Sequence, residues 1–389
     1  MSRILTFHDM FVYKGGAERL TLLLAKSLDT DLASGFFDSV SFDPREEGFK
    51  GKLLTLTNPH GSSARRILRL KYHFLFKSRF VSEYDRIIFT GDCLSAIRFA
   101  RRDARTLYYC NTPPRHLFDQ KDAYLRKVSP WMRPAFLMLS SLFRRQYLSD
   151  LQRVDTIISN SRNIQRRVKQ LTGHDSVVVH PPTDTRSFVP GEQQGDYYLS
   201  FSRLASLKRV DRIVEAFCRM PDKKLIFTYG SNHPEKDAIL ARAATAPNIT
   251  AVLSPDDAQL RRLIQGAIAT LYIPVDEDFG MIPVESMACG VPAIGVRDGG
   301  LQETIVHGET GTLIEPAAEI EDIIKSVREM PAERAWSMRE ACRLRSEDFS
   351  CDRFSQRMRE LLDLSGANVV AEPPTAGTRQ RHTNPLGRA

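Results

Sequence analysis

A chain of 389 residues, 42% hydrophobic and 26% charged, is too long for one ordinary core and has the balance of a soluble globular protein of two domains. It contains no run near the roughly 18 apolar residues that a membrane span requires. The formal charge of +8 is uneven: residues 1–183 carry 30 Lys and Arg against 17 Asp and Glu, and residues 184–389 carry 25 against 30. A basic first half beside a mildly acidic second half implies that the first half faces something anionic.

The first residues, through Phe7, are too short for a signal peptide and read as a strand. A loop with Lys14-Gly15-Gly16 follows, then a helix from Ala17 to about Leu28. Further strands are predicted at 86–89, 106–110, 156–159 and 176–180. Helices are predicted near 134–151 and over 162–171, the latter opened by Asn160-Ser161. Pro181-Pro182 then makes a stiff extended link. The pattern restarts with strands at 197–201, 225–229 and 248–253 and helices near 210–220 and 257–265. An apolar run over 269–274 reads as a buried strand, with a further strand at 291–296. Alternating strands and helices of this kind build parallel sheets. The expected fold is therefore α/β, two Rossmann-like domains facing across a cleft. The domains are 1–183 and 184–348. A late helix, part of a helical stretch over 336–364, crosses back over 349–364, and 365–389 is a disordered tail.

The six cysteines are scattered without a C-x-x-C pair. That argues for free, mostly buried thiols in a reducing, cytoplasmic compartment.

The richest stretch is Glu277 to Glu285, E-D-F-G-M-I-P-V-E. Glu277 falls in the loop leaving a strand, and Glu285 in the first turn of the next helix, which Pro283 suits and Gly290 ends. In a parallel sheet that edge binds ligands, and two carboxylates there can grip the hydroxyls of a sugar or ribose. On spacing alone, Glu285 is equally a dipole-compatible acid and Glu277 a solvated charge. Gly15 and Gly16, between a strand and a helix, let the backbone approach a phosphate or simply make a tight turn. Arg203 and Lys208 follow the first strand of the second half. A guanidinium fork and an ammonium suit phosphate oxygens, although loop cations are commonly just solvated. Asp276-Glu277-Asp278 and Asp29-Thr30-Asp31 are D-x-D strings, short enough to occur by chance, and no His/Cys cluster has zinc spacing.

The whole string resembles the E-x-F-G-x-x-x-x-E signature of glycosyltransferase family 4, retaining enzymes of the GT-B fold. Gly290-Val291-Pro292, Gly299-Gly300 with Glu303, Asn160-Ser161 and His180-Pro181-Pro182 also fit that family. Ser202-Arg203-Leu204 through Lys208 resembles its G-R-L-x-x-x-K, with Ser202 for the glycine. The resemblance covers about residues 1–362, least well on the acceptor side. It implies a metal-independent hexosyltransferase whose substrate is a nucleotide-diphospho-sugar, with no cofactor. Glu277, Arg203 and Lys208 would be catalytic. Gly15, Gly16, Phe279, Gly280, Met281 and Glu285 would join Arg203 and Lys208 in holding the donor, with Glu285 on the ribose. Asn111, Arg115 and His116 are candidate sugar or acceptor contacts. Asn111 stands where the family has a histidine, and cannot titrate.

Thr112-Pro113-Pro114-Arg115 is most like transferases that move mannose from GDP-mannose to lipid-linked glycans, as in cell-surface polysaccharide synthesis. A UDP-hexose donor is the nearest alternative, followed by a GT-B epimerase or phosphorylase. A nucleic-acid-binding role has only the basic charge behind it. Residues 64–80 hold Arg65, Arg66, Arg69, Lys71, Lys77 and Arg79 with no acid, interleaved with apolar residues. That stretch reads as a helix docking on an anionic membrane at the inner face of the cell membrane, or as a core helix with snorkelling cations. On a helical wheel Lys71 falls among the apolar residues.

Overall fold

In a computed structural model, described over residues 3–60, 63–230 and 235–363, the chain forms two α/β domains. The tail expected at 365–389 lies outside the described residues. The first sheet holds β1 (Ile4–His8), β2 (Asp31–Ser34), β3 (Leu53–Thr55), β4 (Arg86–Thr90), β5 (Arg105–Cys110), β6 (Thr156–Ser159) and β7 (Val177–Val178), in the order β3-β2-β1-β4-β5-β6-β7. The second holds β8 (Tyr197–Ser200), β9 (Lys224–Tyr229), β10 (Ile249–Leu253), β11 (Ala267–Tyr272), β12 (Ala293–Val296) and β13 (Gly311–Ile314), in the order β10-β9-β8-β11-β12-β13. Every pairing within them is parallel. Parallel strands are covered on both faces, and all six residues of β11 are buried.

Helices α1 (Gly16–Ser27), α2 (Ser63–Phe76), α3 (Lys121–Lys127), α4 (Arg133–Leu151) and α5 (Arg162–Thr172) belong to the first domain. The second carries α6 (Val210–Cys218), α7 (Lys236–Ala243), α8 (Asp257–Gln265), α9 (Met281–Ala288), α10 (Leu301–Thr304), α11 (Ile320–Arg328), α12 (Ala332–Ser337) and α13 (Arg339–Glu347). The last helix, α14 (Cys351–Asp363), buries Phe354, Met358, Leu361 and Leu362 against Leu20, Leu24, Ile88 and Tyr109 of the first domain. The helical stretch read from Trp336 onward is thus three helices. It breaks at Phe349-Ser350, where the Thr183 N–H donates to the Phe349 carbonyl at 2.8 Å and the two crossing strands of chain meet.

Strand order places the chemistry. In each sheet the winding reverses between two neighbours, β1/β4 in the first and β8/β11 in the second. Loops leaving the C-terminal ends of such a pair diverge and open a crevice. Those loops carry Gly15-Gly16 after β1, Arg203 and Lys208 after β8, and Glu277 after β11.

Helix α2 shows why its wheel looked imperfect. Leu70 and Phe74 enter the core. Lys71 also turns inward, ion-paired to Asp92 at 2.7 Å and lying over the Phe143 ring. Arg69 donates to the Asn58 and His60 carbonyls, and Arg66 lies over Phe36. The cations of α2 and its C-terminal flank that face outward are Arg65, Lys77 and Arg79.

Candidate functional site

The loop after β11 is held by glycines. Gly299, at a φ of 55°, packs so closely that a β-carbon would lie 2.0 Å from the Glu277 carbonyl oxygen, and one on Gly300 would lie 2.3 Å from the Phe279 Cα. Such distances exclude any side chain there. Gly280, at 86°, turns the chain into α9 with no side-chain cap. The start of α1, after Gly15, has no side-chain cap either. A β-carbon on Gly16 would sit 3.4 Å from the Met281 sulfur, so the two helix starts converge across the cleft. Uncapped starts present N–H groups and the positive ends of two helices to an anion.

Lys208 ends a short 3₁₀ turn, Ser206–Lys208. Its ammonium pairs with the Glu277 carboxylate and donates to the Tyr272 hydroxyl at 2.7 Å. An ammonium has three donors, so one remains for a ligand. Arg203 is exposed, and its charge is felt at Tyr272, whose phenol burial and Glu277 push well above its usual range. Arg209, which the sequence reading passed over, holds this assembly together. Buried, with a φ of 53°, it donates to the Ile273, Pro274 and Pro316 carbonyls. It thereby joins the lysine loop to the Glu277 loop. Its place immediately after Lys208 was the signal.

Glu285 lies in the second turn of α9, not the first, because the helix already begins at Met281. Its placement is therefore not a helix-dipole effect, which fades beyond the first turn. Burial pushes its carboxyl up to about 7; Arg19 opposes the shift and Asp257 adds to it. Arg19 reaches over from α1 of the other domain, 3.5 Å from the Glu285 carboxylate and 3.9 Å from Asp257. A cavity of about 210 Å³ adjoins them, lined also by Phe42, Phe188 and Arg261. A larger, open hollow of about 870 Å³ along α14, lined by Ser27, Asp352 and Arg359, holds no group of the site.

The D-x-D acids flanking Glu277 are taken by arginines of the first domain. Asp276 pairs with Arg167 and, at 2.6 Å, with Arg115; Asp278 pairs with Arg167 at 2.7 Å. Burial lifts the Asp278 carboxyl to about 6, with Arg167 opposing. The Ser161 hydroxyl donates to the Asp278 carbonyl at 2.6 Å, and the Asn163 amide to that of Glu277 at 3.3 Å. Glu303 completes the contact. Its carboxylate accepts from the Arg162 and Asn163 N–H groups at the start of α5, at 2.8 and 2.9 Å, and meets the His180 Nε2 at 3.0 Å. Burial raises its pKa, but these bonds outweigh burial and leave it below the ordinary value. His180 stacks on Phe279. Glu277 is thus suspended between two acids clamped to the opposite domain. Among the described residues no group of three or more His, Cys, Asp or Glu is arranged to hold a metal.

The remaining candidates follow β5 in the first domain. The Asn111 carbonyl accepts from the Asn160 side chain at 2.9 Å. The neighbouring Thr112 hydroxyl is buried without a partner, as is that of Ser202 beside Arg203. Arg115 is held by Asp119 and Asp276. His116 packs against Tyr124, and burial lowers its pKa; the charges acting on it are Asp92 and Lys71 of its own domain. Arg19 and Arg167, each on a helix opening toward the cleft, carried no mark in the sequence beyond those helix starts.

Residues 183–347 match the family described as "Glycosyl transferases group 1". The alpha-1,3/1,6-mannosyltransferase ALG2 of Mus musculus is 25% identical over 401 residues, covering 88% of this chain and 92% of its own length. The crystal structure of Anabaena Alr3699/HepE in complex with UDP and glucose superposes with a TM-score of 0.72 at 19% identity, over 93% of this chain and 99% of that one. Sucrose-phosphate synthase from Thermosynechococcus elongatus gives 0.73 at 16% identity, over 92% and 98%. The chain thus has the GT-B fold, and its second half is similar to glycosyltransferase group 1 domains.

Proposed function

We propose that the chain is a retaining hexosyltransferase of the family 4 type, moving mannose from GDP-mannose to a lipid-linked glycan without a metal or cofactor. The observation that carries this reading is the convergence of Lys208, Glu277, Arg203 and two uncapped helix starts on one interdomain crevice. In this reading the diphosphate takes the free donor of Lys208 and the fork of Arg203. Both stabilise charge on the departing phosphate. Glu277 turns its second oxygen to a hydroxyl of the transferred sugar, and the leaving phosphate takes the acceptor proton. Glu285 accepts the ribose hydroxyls, and Phe279, Gly280 and Met281 contribute backbone N–H groups. The mannosyl choice rests on the ALG2 likeness and the Thr112–Arg115 stretch. A UDP-hexose donor is the second reading, favoured by the UDP and glucose held by the Anabaena protein. A basic first domain suits a peripheral position on an anionic membrane at its cytoplasmic face.

At about 210 Å³ the cavity beside Glu285 is smaller than the roughly 300–1,000 Å³ of ligand pockets. In this reading the ribose displaces Arg19 from Glu285 as the donor enters. A thermal-shift screen of GDP, UDP, ADP and their sugars in excess EDTA tests the assignment. The expected outcome is a rise in melting temperature with one diphosphate and its sugar, unchanged by EDTA. No shift with any nucleotide, or a shift that needs manganese, refutes it.

Glu285 makes binding pH-dependent. Ribose hydroxyls donate to the ionised carboxylate, and with a pKa of about 7 that form is scarce at pH 6 and dominant at pH 8. Nucleotide affinity is expected to rise about tenfold between those pH values and to lose the dependence in Glu285→Gln. Calorimetric titration at both pH values reads this directly, and equal affinities for the parent chain would remove Glu285 from the ribose.

A further inference from the structure

A long segment of the first domain is unburied. From Lys121 to Leu139, through α3, the Pro130–Met132 turn and the first half of α4, no residue is buried, although the segment holds Tyr124, Trp131, Phe136, Leu137 and Met138. Trp131 is 81% exposed, Met138 66%, and Leu142, one turn further along α4, 59%. Helix α4 joins the core only from Ser140 onward, through Tyr147 and Leu151. Apolar residues that a domain fails to cover over such a length mark a contact surface. Their company identifies the partner. Lys121, Arg126, Lys127, Arg133, Arg144 and Arg145 share residues 121–149 with a single acid, Asp122. Cations around a tryptophan and aliphatic side chains match an anionic bilayer, with the rings at headgroup depth. No described helix is long and apolar enough to cross a membrane.

We infer that the α3–α4 hairpin inserts shallowly into an anionic lipid bilayer, with Trp131, Met138 and Leu142 as its apolar anchors. The hairpin begins at the rim of the cleft: Arg115, just before α3, pairs with Asp276, and His116 packs on Tyr124. Docking here brings the lipid surface to the acceptor side of the crevice. A lipid-borne acceptor then needs no excursion into water to reach it. That consequence rests on the transferase reading, whereas bilayer insertion does not. The outward cations of α2 and its flank, Arg65, Lys77 and Arg79, beside the exposed Ile67, Leu68, Tyr72 and Phe76, supply a second contact.

Vesicle flotation separates these contributions without donor or acceptor, so its failure leaves the transferase assignment standing. The full chain is expected to float with vesicles containing phosphatidylglycerol and not with pure phosphatidylcholine. In a Trp336→Phe background, Trp131 emission should shift to the blue on vesicle addition. Trp131→Ser/Met138→Ser/Leu142→Ser should keep its melting temperature and nucleotide binding while its bound fraction falls about fivefold or more. Arg65→Glu/Lys77→Glu/Arg79→Glu should weaken binding in a salt-dependent way and leave the blue shift at saturating lipid. Three results would overturn the inference: no binding to anionic vesicles at low salt; binding lost only in the α2 variant with no change in Trp131 emission; or a parent dimer by sedimentation that the hairpin variant dissolves, which would make the face a contact between copies of the chain.

Discussion

Lys208→Ala is expected to lower kcat by about 10²–10³-fold while changing KM far less. The reason lies in the lysine's two present partners. Its ammonium is paired with the largely buried Glu277 carboxylate and bonded to the buried Tyr272 hydroxyl, so it sits where water screens it poorly. As the glycosidic bond breaks, negative charge grows on the departing phosphate, and a fixed cation there lowers the barrier more than it aids ground-state binding. The substitution also leaves the Glu277 carboxylate unpaired beside Tyr272. Lys208→Arg should recover part of the activity, since charge returns without the same geometry. Neither variant should respond to manganese. Near-parent turnover in Lys208→Ala would remove the lysine from the reaction.

Glu303→Ala should have the largest effect on the fold, about 3 kcal/mol, because it strips a largely buried carboxylate from two helix-start N–H groups and a histidine at once. An apparent melting temperature lower by roughly 5 °C or more is expected. The loss should carry a pH signature. The folded pKa of Glu303 lies below its ordinary value. Its contribution is therefore fully present above about pH 4.5 and disappears as pH falls through the folded value. The gap between parent and variant should be wide at pH 7 and should close in acid. Glu303→Gln, which keeps an acceptor for one N–H, should fall between them. A constant gap from pH 7 to pH 3 would mean that the carboxylate charge contributes nothing.

Much of the architecture was legible because parallel strands are apolar on both faces. Ala269-Thr270-Leu271-Tyr272 stood out for that reason and is fully buried in β11. The short strands β2, β3 and β13 did not stand out, since three or four residues such as Leu53–Thr55 carry no period. Glu277, Lys208 and Glu285 were visible through their spacing and signature. The cross-domain pairings were not. Arg167 and Arg115 reach Asp276, and Arg19 reaches Glu285, from the other domain, across sequence separations that no local pattern encodes; Arg115 stood out only as a candidate sugar contact. The D-x-D string shows the same limit: two acids two residues apart suit a metal as well as arginines, and the arginine they meet here, Arg167 of α5, lies more than a hundred residues away. The unburied α3–α4 hairpin was hidden differently, since its apolar residues read like those of any core helix until burial is known.

Transfer from the nucleotide-sugar is expected to proceed with retention and without a metal. Proton NMR of the purified chain with GDP-mannose or UDP-glucose, a lipid-linked acceptor and excess EDTA tests it most directly. The expected outcome is release of free nucleoside diphosphate that depends on acceptor, a new anomeric signal of the same configuration as the donor, and loss of both in Lys208→Ala. An anomeric signal of inverted configuration, or turnover that vanishes with EDTA and returns with manganese, would contradict it.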